Sequence, residues 1–309
     1  MTILEMVEYP EFIKFDLTLK NKLDDFFNLF EPYSEFSLVN LAVWLDATNN
    51  LELSNLNGNL VLRFDLPDKP NTIIYEFVGI NKIEDSMLIL LNTKNKTIHR
   101  IEAVPEYSVL PILNDPRFSV CESRNEWEYV YDSRDLSQLS SSEQARNRRK
   151  VHRFERENGE HSSITLDYDL SDIHNCRKIA KFTENLAVSD HNMRNDYART
   201  ELQAIGKTLK LASKLDIQSI VLSINDNIEG FITYHISQNN TALVSHIKVN
   251  YNFNNIFDYL LNIFAKHIYA EGINYINLEQ DLGIEGLRTY KTRLHPVKML
   301  KKYTVTLKK

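Results

Sequence analysis

YINLEQDLGIEGLRTYKTRLHP, residues 275–296, begins as a strand, turns at a glycine and leaves as a helix. The run Tyr275–Leu278 is β-forming. Glu279 and Asp281 follow it two residues apart, so on a continuing strand their carboxylates face one side and Gln280 faces the other. Gly283 frees the backbone to turn into a helix near Ile284. On that helix Arg288 and Lys291, three residues apart, share a face. Two carboxylates at a strand end suit recognition of a cationic amine, and one of them can take its proton. The two cations suit a phosphate or an oxyanion. Glu279, Asp281 and Lys291 are therefore candidate catalytic residues, and Arg288 is a candidate substrate ligand. Each also has a plain structural reading. Asp281 can simply cap the helix, and Arg288 and Lys291 can balance Glu285 on a surface. His295, ahead of the backbone-locking Pro296, reads as a structural histidine more readily than as a proton carrier.

Upstream of this stretch the spacing is equally regular. Ile256–Tyr269 is amphipathic at helical period, Thr241–Val249 reads as a strand, and Ser219–Ile224 with Gly230–Ile236 read as strands paired around Asn225-Asp226-Asn227. Ile173–Leu186 and Thr200–Leu215 read as helices. Two helices, three antiparallel strands, a helix and a strand is the order of a GNAT-like lobe, although many α+β folds resemble it. His246 falls inside the third strand, facing either a cleft or the core, and is a further candidate catalytic residue.

The first half also reads as α+β. Residues 19–31 place Leu23, Phe26, Phe27 and Phe30 at helical spacing, and a second helix is expected near Ser34–Leu45. Leu51–Leu53, Leu60–Phe64, Thr72–Val78, Met87–Leu91 and Thr97–Ile101 have strand character, with Asn57-Gly58 as a hairpin turn. Glu128–Tyr131 is a further strand. The polar run DSRDLSQLSSSEQ after it is the expected junction, giving lobes at residues 1–135 and 136–309. No repeat of solenoid period is visible.

Ser140 and Glu143 fit a capping box, so a helix is expected from about Ser141 towards Asn158-Gly159. It carries the densest positive patch of the chain. Arg146, Arg149, Arg153 and Arg156 lie on one face, with Arg148 and Lys150 beside them and Val151 and Phe154 as an apolar stripe. Arg146, Arg148, Arg149, Lys150 and Arg153 suit the phosphates of a nucleic acid or a lipid headgroup. A solvated face paired with Glu155 and Glu157 is the equal alternative.

With 309 residues, 43% hydrophobic and 25% charged, the chain can bury two cores. Its net charge of -6 disfavours a globally basic nucleic-acid binder and leaves a local patch open. Cys121 and Cys176 lie far apart with no CxxC pair, so neither a disulfide framework nor a zinc site is expected. The N-terminus carries no secretory signal and the apolar runs are too short to span a bilayer. A cytoplasmic protein follows, meeting a membrane at most from its surface. A CoA-dependent lobe needs a glycine-rich turn that cradles pyrophosphate at a helix N-terminus. The corresponding residues 250–255, NYNFNN, have neither glycine nor arginine. Acyl-CoA is thus the secondary donor, and no bound cofactor is expected.

The stretch at 275–296 resembles the signature of the phosphatidylglycerol lysyltransferase C-terminal-domain family. The resemblance lies in Asn277, Glu279, Gln280, Asp281, Leu282, Gly283, Gly286, Leu287, Arg288, Lys291, His295 and Pro296. The strand Glu128–Tyr131 with ARNRRKVHRF, and SEFSLVNLAVW with Ser34, Phe36, Asn40 and Trp44, resemble its upstream segments. Residues 245–249, SHIKV, resemble its H-I-E-K-A strand but lack the glutamate, and Asn255 stands where a glycine is expected. The resemblance implies two tandem GNAT-like lobes and aminoacyl transfer from aminoacyl-tRNA. It also implies Asn277, Gln280, Arg288 and His295 as substrate ligands. The full lipid enzymes carry a membrane portion ahead of this region, and none is expected here. A soluble amine, amino sugar or peptide acceptor is therefore expected before phosphatidylglycerol. A catalytically silent RNA- or protein-binding module is the reading from another class.

Overall fold

The computed structural model describes residues 6–45, 50–65, 73–92, 100–189, 196–237 and 239–308. In chain order the first elements are β1 (Ile13–Lys14), α1 (Lys20–Phe27), α2 (Leu38–Asn40, continued by a π-turn), β2 (Glu52–Leu56), β3 (Asn59–Asp65), β4 (Ile73–Val78), α3 (Ile83–Leu91), β5 (Ile101–Pro105), α4 (Glu106–Val109) and β6 (Phe118–Glu122). They are followed by β7 (Glu128–Asp132), α5 (Ser133–Gln138), α6 (Ala145–Asn158), β8 (Ser162–Thr165), α7 (Ile173–Ser189), α8 (Asp196–Leu211), β9 (Gln218–Ile224), β10 (Asn227–Ser237), β11 (Thr241–Val249), α9 (Ile256–Ala270), β12 (Tyr275–Gln280), α10 (Glu285–Arg293), β13 (Lys298–Leu300) and β14 (Lys302–Leu307).

Two compact units share the chain. Met1–Glu128, Gln280–Arg288 and Met299–Lys309 form the first, and Tyr129–Glu279 with Thr289–Lys298 the second. The sequence reading divides the chain once, in the polar run. The units divide it several times because strands are exchanged. The first sheet has the order β1-β2-β3-β4-β5-β14-β6, and the second has β13-β7-β12-β11-β10-β9-β8. Thus β14 returns to the first sheet between β5 and β6, and β7 enters the second between β12 and β13. Each unit is α+β, with a mixed, mostly antiparallel sheet and flanking helices. Strands β1 to β4 pair antiparallel and β4–β5 parallel. Strands β8 to β11 pair antiparallel and β11–β12 parallel.

The order strand, two helices, three antiparallel strands, helix, strand, helix, strand occurs twice, from β1 to β6 and from β8 to β13. This is the GNAT-like order anticipated for the second half, and it is a repeat of topology. Its most local trace is at the start of α3 and α9. Asn81-Lys82-Ile83-Glu84-Asp85 and Asn254-Asn255-Ile256-Phe257-Asp258 both enter their helix through a left-handed residue, Lys82 at φ 42° and Asn255 at φ 63°.

Several elements differ from their sequence reading. Met87–Leu91 lies in helix α3, because Ile83, Met87, Leu90 and Leu91 bury one helical stripe. The expected strand at 97–101 falls largely outside the described residues, and β5 begins at Ile101. The polar run contains helix α5, capped by Asp132, whose side chain accepts from the Arg134 and Asp135 amides. The capping-box start is therefore displaced: α6 begins at Ala145, and Ser141 Oγ accepts from the Gln144 amide at 3.2 Å. The Asn57-Gly58 turn is a tight hairpin, with φ 57° and 82° closing β2 onto β3.

Candidate functional site

In the first unit the signature is organised around Asp281, which is fully buried. Arg288 grips its carboxylate with two parallel bonds, Nε to Oδ2 and Nη2 to Oδ1, both 2.9 Å. Arg124 Nη1 donates to Oδ2 at 3.0 Å, and the Gly283 amide donates to Oδ1 at 2.8 Å. Asn125 closes the ring: its carbonyl accepts the Leu282 amide at 3.0 Å, and its Oδ1 accepts Arg288 Nη2 at 2.7 Å. Gly283 is required here. Its φ is +74°, and a Cβ would stand 2.9 Å from the Asn125 side chain. Fork-to-carboxylate pairing of this kind fixes direction as well as energy. Asp281 and Arg288, expected as an amine site and a phosphate ligand, are thus joined to each other and pin the turn. Gln280, at the end of β12, is half-buried.

In the second unit the end of β12 departs from a regular strand. Glu279 has φ 58°, and its amide donates to Asn277 Oδ1 at 2.8 Å. The alternation that would set Glu279 and Asp281 on one side therefore stops at Glu279. Lys291, almost fully buried, donates from Nζ to the carbonyls of Leu278 at 2.5 Å and Glu279 at 3.2 Å. It lies 5.8 Å from the Tyr129 ring centre, and its carbonyl accepts from Tyr131 Oη at 2.8 Å. The ammonium caps the carbonyls that the turned strand end exposes. His246 is buried on β11, with Nε2 2.9 Å from Thr208 Oγ1 on α8. Burial, helped by the neighbouring Lys248, pushes its imidazole down to about 3, so it is neutral in this fold. Lys248 pairs with Glu201 of α8 at 2.6 Å, giving β11 a second polar tie to the same helix. His295 has φ 60°, is exposed, and lies 3.6 Å from Glu143.

Helix α6 sorts its cations by face. Lys150 turns inward and donates to both oxygens of Asp258 on α9, at 3.0 and 2.9 Å. Arg148 bonds the carbonyl of Leu139, and that of Ser141 at 3.4 Å. Val151 and Phe154 are buried, and Phe154 stacks on Tyr259 with ring centres 4.5 Å apart. Arg146, Arg149, Arg153 and Arg156 are exposed. Arg153 holds Glu157 at 2.7 Å, an i,i+4 pair. Of the five expected phosphate ligands, Arg146, Arg149 and Arg153 lie on the outer face, and Arg148 and Lys150 are struts. In the 250–255 turn, Asn250 bonds Glu229 and caps the Asn252 amide, and α9 carries Asp258 in its first turn.

Sequence reasoning missed a buried charge cluster in the first unit. Lys302 is fully buried, 2.7 Å from Glu128 Oε1, and paired with Glu35. The Ser34 amide and hydroxyl also donate to Glu128. Burial pushes Glu76 up to about 8, against the pull of Lys302 and with Glu126 and Glu102 adding to the rise. The Glu76 position faces Glu102 across the β4–β5 pair. Nothing in the sequence distinguishes Lys302 from its surface neighbours. Among the described residues no His, Cys, Asp or Glu group is arranged to hold a metal ion, and no helix is long and apolar enough to cross a membrane.

Residues 106–306 match the family described as phosphatidylglycerol lysyltransferase, C-terminal. A conserved protein of unknown function from Bacteroides thetaiotaomicron shares the fold with a TM-score of 0.84 at 21% identity, over 96% of this chain and 99% of that one. The C-terminal domain of a putative lysylphosphatidylglycerol synthetase from Agrobacterium fabrum gives 0.65 at 12% identity, over 94% and 92% of the two chains. L-PGS from Bacillus licheniformis gives 0.62 at 12% identity, over 98% and 93%. No curated protein matches.

Proposed function

This chain belongs to the phosphatidylglycerol lysyltransferase C-terminal family, and from that premise we propose that it moves an aminoacyl group from aminoacyl-tRNA to an amine or hydroxyl acceptor. The membership and the GNAT-like fold make it a transferase. The donor and acceptor are the proposal. In the reaction an uncharged acceptor nitrogen or oxygen attacks the ester carbonyl carbon. The bond to the tRNA 3′-terminal oxygen breaks, and that oxygen leaves with the proton the acceptor loses. No covalent enzyme intermediate is needed, because the ester is already activated. Positioning the acceptor and stabilising the oxyanion can supply most of the rate.

The observation that carries the reading is the outer face of α6, where Arg146, Arg149, Arg153 and Arg156 stand exposed on a helix whose inner face is pinned. A rigid row of guanidiniums suits a phosphate backbone. The turn before α9 favours this donor over acyl-CoA. It has no glycine, the Asn250 side chain bonds the Asn252 amide within the turn and Glu229, and the first turn of the helix carries Asp258, an acidic residue paired with Lys150. Within the second unit, Glu279, Lys291, His246, Asn277 and His295 remain the residues proposed to serve the acceptor, as the family resemblance suggests. A polar soluble acceptor is preferred to phosphatidylglycerol. The test is an assay with a pool of labelled charged tRNA and a panel of amines, amino sugars, peptides and phosphatidylglycerol vesicles. Label passing to an acceptor supports the proposal. Label that stays on tRNA with every acceptor, while acetyl-CoA is consumed, overturns it.

A further inference from the structure

We propose that the second unit holds one ordered water in a small cavity between α5, α6, α9 and α10. This water completes the lock on the inner face of the basic helix. The cavity has a volume of about 10 Å³ and is lined by four leucines together with Asn147, Asp258, Asn262 and Tyr290. A single water needs about that space and two to four polar partners.

The hydrogen-bond directions around it are fixed from one end. Gln144 Nε2 donates to the Leu294 carbonyl at 3.0 Å, and a carbonyl can only accept. Gln144 therefore turns its Oε1 towards Asn147, which donates from Nδ2 at 2.6 Å. Asn147 Oδ1 must then face away from Gln144. It is buried, on a residue only 3% exposed, and among the described residues no group donates to it. Asn262 cannot serve, because its Nδ2 is committed to the Leu136 and Ser137 carbonyls at 2.7 and 2.9 Å. The Tyr290 hydroxyl lies 3.5 Å from Asp258 Oδ1, at the outer limit of a direct bond. One water resolves both. It donates one hydrogen to Asn147 Oδ1 and the other to the Asp258 carboxylate, and it accepts from the Tyr290 O–H. The same carboxylate holds Lys150. Asn147 and Lys150 are three residues apart on α6, so the water joins two anchors of one helix face to α9 and α10.

The decisive experiment is a crystal structure of the whole chain at a resolution that shows ordered solvent, paired with two variants. A full-occupancy water within bonding distance of Asn147 Oδ1, Asp258 and Tyr290 is expected. Asn147→Leu removes the acceptor and fills the space, and its melting temperature should fall by several degrees. Asn147→Ser keeps an oxygen and leaves room for solvent, and should lose clearly less. An empty cavity in the parent structure overturns the proposal even if the leucine variant fails to fold. So does a leucine variant as stable as the parent.

Discussion

Asp281 sits in the family signature as a carboxylate that could bind an amine, yet its oxygens receive two guanidiniums and a backbone amide. Its geometry is that of a turn clamp. Asp281→Asn keeps the size but replaces one acceptor oxygen with a donor facing Arg124 or Arg288. Breaking a buried pair costs about 3–5 kcal/mol, and since both guanidiniums are partly exposed the loss here should lie at or below the lower end of that range. Thermal unfolding of the variant checks this, and an unchanged melting temperature would remove the clamp. The sequence spacing foretold the glycine turn but not the clamp, because Arg124 and Asn125 lie over 150 residues away and no local pattern links them. Glu76 gives a pH prediction of defined sign. Its folded value, about 8, lies above the ordinary 4.5, so the folded chain holds a proton that the unfolded chain releases. Its contribution is complete below about pH 4.5 and falls as pH rises to 8, by at most a few kcal/mol. Denaturant titrations should show Glu76→Gln gaining on the parent between pH 6 and 9. Parallel curves would contradict this.

At the scale of the element, α6 separates packed cations from exposed ones on opposite faces. Lys150→Ala leaves Asp258 with less compensation and should lower stability by roughly 2–4 kcal/mol, a little under the cost of breaking a fully buried pair. Arg149→Glu with Arg153→Glu should leave the melting temperature within about a degree, since exposed substitutions stay near ±0.5 kcal/mol. Calorimetric scans of the two variants distinguish the faces, and equal losses would contradict the sorting. The helix itself was legible from its apolar stripe, Val151 and Phe154. Its start was not, because α5 fills the polar run and takes its cap from Asp132. Likewise Met87–Leu91 offers only apolar residues in a row, and Ile83, one turn earlier, decides that the row is helical. The end of β12 departs from simple alternation for a different reason. A left-handed Glu279 breaks strand alternation and depends on Asn277 and Lys291, which a two-residue period does not register.

Over the whole molecule the chain carries one topology twice and returns β14 to the sheet that β1 begins. The GNAT-like order of the second half was readable because its helices and strands are long and periodic. That of the first half came from the family resemblance and not from spacing, since β1 has two residues and α2 is a single turn. The exchange of β7 and β14 leaves no periodic trace, because a strand's pattern does not say which sheet it joins. The proposed donor is aminoacyl-tRNA, held by the outer face of α6. The most direct measurement is the affinity for charged tRNA over a series of salt concentrations, for the parent and for the Arg149→Glu, Arg153→Glu variant, with acetyl-CoA titrated in parallel. The parent should bind charged tRNA with log K falling linearly in log salt. The variant should bind at least tenfold more weakly with a shallower slope, and acetyl-CoA should bind no tighter than about 1 mM. Charged-tRNA affinity unaffected by the charge reversals, together with acetyl-CoA binding on the order of 1 μM, would contradict it.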